Sequence, residues 1–104
     1  MDSWDIPALD VQPHQPQVLR SDAEARVVSI YLPAGEALDD HQVHERAYVV
    51  VVDGDVELAG TSCTAGCAAV FDPNERHAVK ATSDSRLLLV LAPWPGDGHP
   101  GARD

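Results

Sequence analysis
Four residues of this chain combine metal-binding or proton-moving side chains with a spacing that could bring them together: His41, His44, Glu45 and His77. Three of them fall within five positions. Neutral imidazole nitrogen and carboxylate oxygen are donors that suit iron, zinc, manganese, nickel or copper. If the segment around them is a strand, positions of one parity share a face. His41, Val43, Glu45 and Ala47 then share one face, and His44 lies on the other unless a bulge re-aims it. His14 and His99 lie in proline-rich ends and receive no role. No nucleophile elbow, phosphate loop or Ser/His/Asp series is present. Cys63 and Cys67 are spaced C-x3-C, which is neither the redox C-x2-C pattern nor a zinc pair. Cys67 sits in an apolar run and reads as a small buried thiol.

These residues need a scaffold, and the chain between its ends reads as short strands and turns. Residues 1–16 contain Pro7, Pro13 and Pro16 and form an irregular arm laid over the domain. Residues 17–92 form the domain. Residues 93–104 are a proline- and glycine-rich tail that excludes regular helix and strand. Val27 to Leu32 is β-branched and apolar, and Pro33-Ala34-Gly35 stops it. Ala47 to Val52 is a continuous apolar run, as in a strand covered on both faces. Asp53-Gly54 is a hairpin signal. Val56, Glu57 and Leu58 alternate. Cys67 to Phe71 follows the Ala65-Gly66 turn, and Asp72-Pro73-Asn74 is another turn, with Asn74 able to take a left-handed conformation. His77 to Thr82 and Arg86 to Ala92 read as a final pair around Ser83-Asp84-Ser85. Ser21 to Arg26 fits a helical turn or a hairpin loop. No long helix-period window appears. The expectation is an all-β antiparallel sandwich or barrel.

Composition narrows the function. A chain of 104 residues is one domain. Its net charge of -10 opposes binding to nucleic acid and to anionic membranes. No apolar run reaches membrane-spanning length, and residues 1–10 lack a signal-peptide core. A cytoplasmic protein is expected, with both cysteines reduced.

The glycine and histidine spacing resembles the cupin superfamily. Its two stretches are G-x5-H-x-H-x3-E-x6-G and G-x5-P-x-G-x2-H-x3-N. Gly35, His41 and Gly54 fall on the first glycine, first histidine and last glycine of the first stretch. Gly66 and His77 fall on the first glycine and the histidine of the second. The match runs without a gap from about Leu32 to Ala92. The segment Asp40 to Arg46 and the ending Ala92-Pro93-Trp94-Pro95-Gly96 are similar to small bacterial cupins. The resemblance implies a cupin-type antiparallel β-barrel (a double-stranded β-helix, or jelly roll) with His41 and His77 inside it.

The departures bear on chemistry. Val43 stands at the family's second histidine and Ala47 at its glutamate. Asp72 replaces the proline, Asn74 the glycine and Ala81 the asparagine. The resemblance therefore implies a weakened metal site. His41 and His77 would begin it, and Glu45 or a bulged His44 would complete it. With Glu45 the set is a two-histidine, one-carboxylate triad. Against this stand interior histidines that bind nothing, and a solvated loop for His44 and Glu45 beside Arg46. Glu75-Arg76 reads as an exposed charged turn, Trp94 as a tail anchor packed on the barrel, Trp4 similarly, and Tyr48 as a core or dimer-contact residue. Two functions follow: a metalloprotein acting on or sensing a small molecule, or a metal-free small-ligand module. A homodimer is expected, because Ala47 to Val52 needs cover on both sides.

Overall fold
The computed structural model describes residues 1–96, with the backbone alone at Asp39, Asp40, His41, Gln42 and His77. Nine strands follow one 3-10 turn (Ile6–Ala8): β1 (Gln17–Ser21), β2 (Arg26–Leu32), β3 (Ala37–Gln42), β4 (Arg46–Asp53), β5 (Asp55–Leu58), β6 (Thr61–Thr64), β7 (Ala68–Phe71), β8 (Arg76–Ala81) and β9 (Ser85–Ala92). All pairings are antiparallel. One sheet has the order β1-β2-β9-β4-β7, and the other β3-β8-β5-β6. The all-β expectation holds.

Alternation along the strands builds the interior. β2 turns Val28, Ile30 and Leu32 inward, and register sets Val28 opposite Leu89 and Ile30 opposite Leu87. β4 continues the same layers, with Val49 opposite Leu89 and Val51 opposite Leu87. The second sheet answers with Val56, Leu58, Cys63, Val79 and Ala81, and all join one buried cluster. These side chains are almost all aliphatic, as the low aromatic content requires. The outer face of the larger sheet is less covered: Tyr48 and Val70, partners in the β4–β7 register, are 40% and 53% exposed. Tyr48 therefore does not line the interior. The run Ala47 to Val52 is apolar on both parities but covered fully on one.

The N-terminal arm lies on the domain, as expected. Its 3-10 turn packs on β4 and β9. Val11 is buried, and Arg86 Nη1 donates to the Leu9 carbonyl at 2.7 Å. Residues 22–25 form a hairpin loop between β1 and β2, in which Asp22 Oδ1 accepts the amides of Glu24 and Ala25. That contact, with the Arg20 guanidinium, holds the Asp22 carboxyl below the usual carboxylate range. Asn74 is left-handed, with φ 66°.

Two expected pairings do not form. β4 and β5 are not a hairpin: β4 belongs to the five-stranded sheet, and β5 pairs with β6 and β8. Gly54, at φ +91°, is instead a corner where the chain crosses between sheets. A Cβ there would sit 2.3 Å from the Asp84 carbonyl oxygen and 2.4 Å from Ser85 Oγ, so the corner is closed by backbone. Likewise β8 and β9 lie in different sheets, and Ser83-Asp84-Ser85 is the matching corner. The two corners are tied together: the Asp55 amide donates to Ser83 Oγ and Ser85 Oγ at 2.9 and 3.1 Å. A two-residue turn reads as a hairpin only when both flanking strands share a sheet. Here each strand gains more by pairing elsewhere while keeping its apolar face inward.

Candidate functional site
The β3–β8 register sets His41 directly opposite His77. A bulge between Leu38 and His41 lies just before this pair. In an antiparallel pair, directly opposed residues stand closest across the two strands. The backbone thus juxtaposes the two histidines named from sequence. Their side chains lie outside the described residues, as does His99.

His44 and Glu45 lie between two strands. β3 stops at Gln42 and β4 resumes at Arg46, so residues 43–45 are not strand. Parity counted from His41 does not reach Glu45 across that break. Glu45 is also not a solvated loop residue: it is 0% exposed. Its Oε2 accepts the Gly96 amide at 2.7 Å. His44 is half-buried and contributes its carbonyl to the same place. A Cβ on Gly96 would lie 2.6 Å from that oxygen, so only glycine fits there without displacement. Sequence reasoning did not find this contact. Its one sequence signal is a glycine two residues past Trp94 in a segment otherwise suited to anchoring.

Trp94 is half-buried and packs against the core cluster, as a tail anchor should. The Arg26 guanidinium lies over its ring, 4.0 Å from the centroid. Arg26 pairs with Leu91 in the β2–β9 register, and Ala47 pairs with Leu91 from the other side. The tail therefore closes the end of the barrel where β2 and β4 begin and β9 ends. β3 ends and β8 begins at this end too, so the His41–His77 pair is there. Glu75 and Arg76 are exposed, as expected. Trp4 is 38% exposed and is not a buried anchor.

Two positions of the family's donor set hold no donor in this chain. Stable sites use three or four protein ligands. Val43, at the position of the family's second histidine, packs against the core, and Ala47, at the glutamate position, is fully buried. Glu45 is engaged by Gly96. Among the described residues no group of three or more His, Cys, Asp or Glu converges. Of the donors named from sequence, the backbone brings His41 and His77 into register, and Glu45 is buried at the same barrel end.

The interior itself holds a cavity of about 190 Å³ between the two sheets. Val28, Ile30, Val49, Leu87 and Leu89 line it from one sheet, Leu38 and Val79 from the other, and Pro16 of the arm touches it. Every one of these side chains is apolar. Val79 is two residues beyond His77 on β8, so the histidine pair and the cavity occupy consecutive layers.

Comparison with known proteins agrees with this architecture. Residues 14–90 match the family described as the quercetinase C-terminal cupin domain. The chain belongs to that cupin family. No curated protein matches the chain. This cupin is similar in fold to a conserved double-stranded β-helix protein from Klebsiella pneumoniae (TM-score 0.80, 20% identity, 92% of this chain and 93% of the other). It is also similar to an RmlC-like cupin from Desulfovibrio desulfuricans (TM-score 0.76, 21% identity, 89% and 97% covered). A third match is in the complex of Rhodobacter sphaeroides SigE with the anti-sigma ChrR (TM-score 0.71, 21% identity, 81% and 51% covered). The cupin has no helix, among its described residues, long and apolar enough to cross a membrane.

Proposed function
We propose that this cupin is a metal-independent binding module for a small apolar molecule, held in the barrel interior. The observation that carries the reading is the lining of the cavity: the eight lining residues, among those described, are all apolar. An apolar cavity of this order accepts a guest of roughly benzene size, as an engineered cavity of about 150 Å³ does in another protein. The backbone register places the His41–His77 pair two residues along β8 from Val79 of the cavity lining. The same fold occurs in the complex of SigE with the anti-sigma ChrR, which is compatible with a binding module.

The test is a thermal shift with benzene or indole. For a Kd of about 1 mM, about 10 mM guest stabilises the fold by roughly 1.4 kcal/mol. That raises Tm by about 6–11 °C. Leu89→Phe, which fills the cavity, should remove the shift. No shift, with no change in the methyl resonances of Val49 and Val79, defeats the reading.

The β3–β8 register favours a second reading, in which His41 and His77 hold a divalent transition metal (iron, zinc, manganese, nickel or copper) beside the guest. Glu45 or His44 would have to complete the set. Two imidazoles alone give loose binding that fails in mild acid, where they protonate. Elemental analysis of protein purified without a histidine tag, followed by Zn(II) titration at neutral pH and with His41→Ala, decides this. The exposed Tyr48–Val70 pair supports a homodimer through the outer face of the larger sheet. Light scattering at tens of micromolar tests it.

A further inference from the structure
We infer that the barrel end beside the histidine pair is a built seat for the chain's own Trp94–Gly96 segment, and that occupancy of this seat governs exchange of the interior guest. The second half of the inference rests on the proposed apolar binding function; the first does not.

Three independent contacts define the seat. A fully buried carboxylate, Glu45, accepts the backbone amide of Gly96 at 2.7 Å. The Gly96 Cα faces the His44 carbonyl with no room for a methyl group. The Trp94 ring lies against the apolar core on one side and the Arg26 guanidinium, at 4.0 Å, on another. A tail held by chance would use exposed groups and leave its own backbone to water. This one places its amide on a charge that the fold has removed from solvent. Burying a carboxylate is costly unless it is hydrogen-bonded, so Glu45 favours a docked tail. Arginine over an indole face adds attraction that is stronger when shielded from water.

The seat adjoins the cavity. Arg26 and Leu91 form one cross-strand layer, and Val28 and Leu89, which line the cavity, form the next. On β4, Ala47 and Val49 repeat the two layers. Trp94 thus covers the layer above the guest. With the tail seated, a guest that leaves by this end must first displace the indole.

The variant Gly96→Ala tests this in the full-length chain carrying Trp4→Phe, which leaves Trp94 as the sole indole. The added methyl collides with the His44 carbonyl, while the barrel residues are untouched. Gly60→Ala is the control, at a turn glycine with nothing within 4 Å of its Cβ. Gly96→Ala should red-shift Trp94 emission and raise its acrylamide quenching at least threefold. Glu45→Ala should do the same, and Gly60→Ala should do neither. Benzene exchange, read from methyl line shapes, should accelerate at least tenfold in Gly96→Ala. Unchanged Trp94 emission in both Gly96→Ala and Glu45→Ala overturns the seat. A released indole with unchanged benzene exchange overturns its control of the guest. Absence of benzene binding in every variant, the parent included, defeats the apolar binding function and with it the control of exchange. The seat itself is then upheld or refuted by Trp94 emission alone.

Discussion

Gly54→Ala should destabilise this domain far more than Gly60→Ala, although both glycines are left-handed. Gly60 has φ +83° and no neighbour near its missing Cβ. The substitution there meets only the backbone penalty of about 1–2 kcal/mol for a left-handed L-residue. Reduced freedom of the unfolded chain returns about 0.4–1 kcal/mol. The net loss is on the order of 1 kcal/mol. Gly54 carries the same backbone term, but its new methyl meets the Asp84 carbonyl at 2.3 Å, Ser85 Oγ at 2.4 Å and Ser85 Cα at 2.7 Å. Relief requires the two corners to part by about 1 Å, since ordinary carbon contacts begin near 3.5 Å. The Ser83–Ser85 corner cannot simply swing away, because Asp84 Oδ1 accepts the Ala34 amide at 2.9 Å. Parting the corners breaks the bonds from the Asp55 amide to Ser83 Oγ and Ser85 Oγ. Each is worth about 1 kcal/mol. The total is about 3–4 kcal/mol, a large share of a typical stability of about 5–15 kcal/mol. Differential scanning calorimetry should show a Tm loss of roughly 12–30 °C for Gly54→Ala, against about 4–8 °C for Gly60→Ala. Equal losses within about 3 °C would refute the closed-corner argument and return Gly54 to the status of an ordinary turn residue.

Other parts of the structure give sharper local tests. Ser29 is 1% exposed, and its Oγ has no hydrogen-bond partner among the described residues, so Ser29→Ala should be neutral or stabilising by up to about 1 kcal/mol in urea unfolding; a comparable loss would reveal a missed partner. Arg86→Ala removes the donor to the Leu9 carbonyl and should cost about 1.5–3 kcal/mol, with faster proteolysis within residues 1–16; an unchanged cleavage rate counts against the arm's docking. Hydrogen bonding with Cys67, then burial, pushes the Cys63 thiol above its ordinary pKa. Its stabilising effect is complete below the unfolded thiol pKa of about 8.5 and is lost as pH rises through the folded value. Iodoacetamide at pH 8 should therefore alkylate Cys67 at least tenfold faster than Cys63, and peptide mapping that finds Cys63 modified first would reverse the assignment.

The strand content was legible because two signals coincide in this chain. Apolar runs such as Val27 to Leu32 and Leu87 to Ala92 end at glycine, proline or a polar turn, and the glycines fall at cupin spacing. The barrel follows from that pattern. The strand partners were less legible. Asp53-Gly54 has the composition of a hairpin, yet its strands separate into different sheets. The deciding contact is with Asp84 and Ser85, about thirty positions away, and no local pattern records it. Trp94 was correctly read as an anchor, because a large indole between two prolines has no other apolar contact to gain.

The site shows a different limit. Parity along a single strand does not relate His41 to Glu45, because three non-strand residues separate β3 from β4, and Glu45 Oε2 accepts the Gly96 amide, a contact that no local pattern records. The same change runs through the whole barrel end. Where the cupin pattern has histidine and glutamate, this chain has Val43 against the core and Ala47 fully buried. Each replacement removes a donor and adds apolar surface beside the cavity. Removing one ligand would leave the others buried and poorly satisfied, which is costly. Removing two, and engaging the nearby carboxylate with a backbone amide, leaves apolar side chains as the cavity's lining among the described residues. On the proposed reading the two replacements act together, because each exchanges a polar donor for apolar surface near the cavity, and a barrel for an apolar guest needs both.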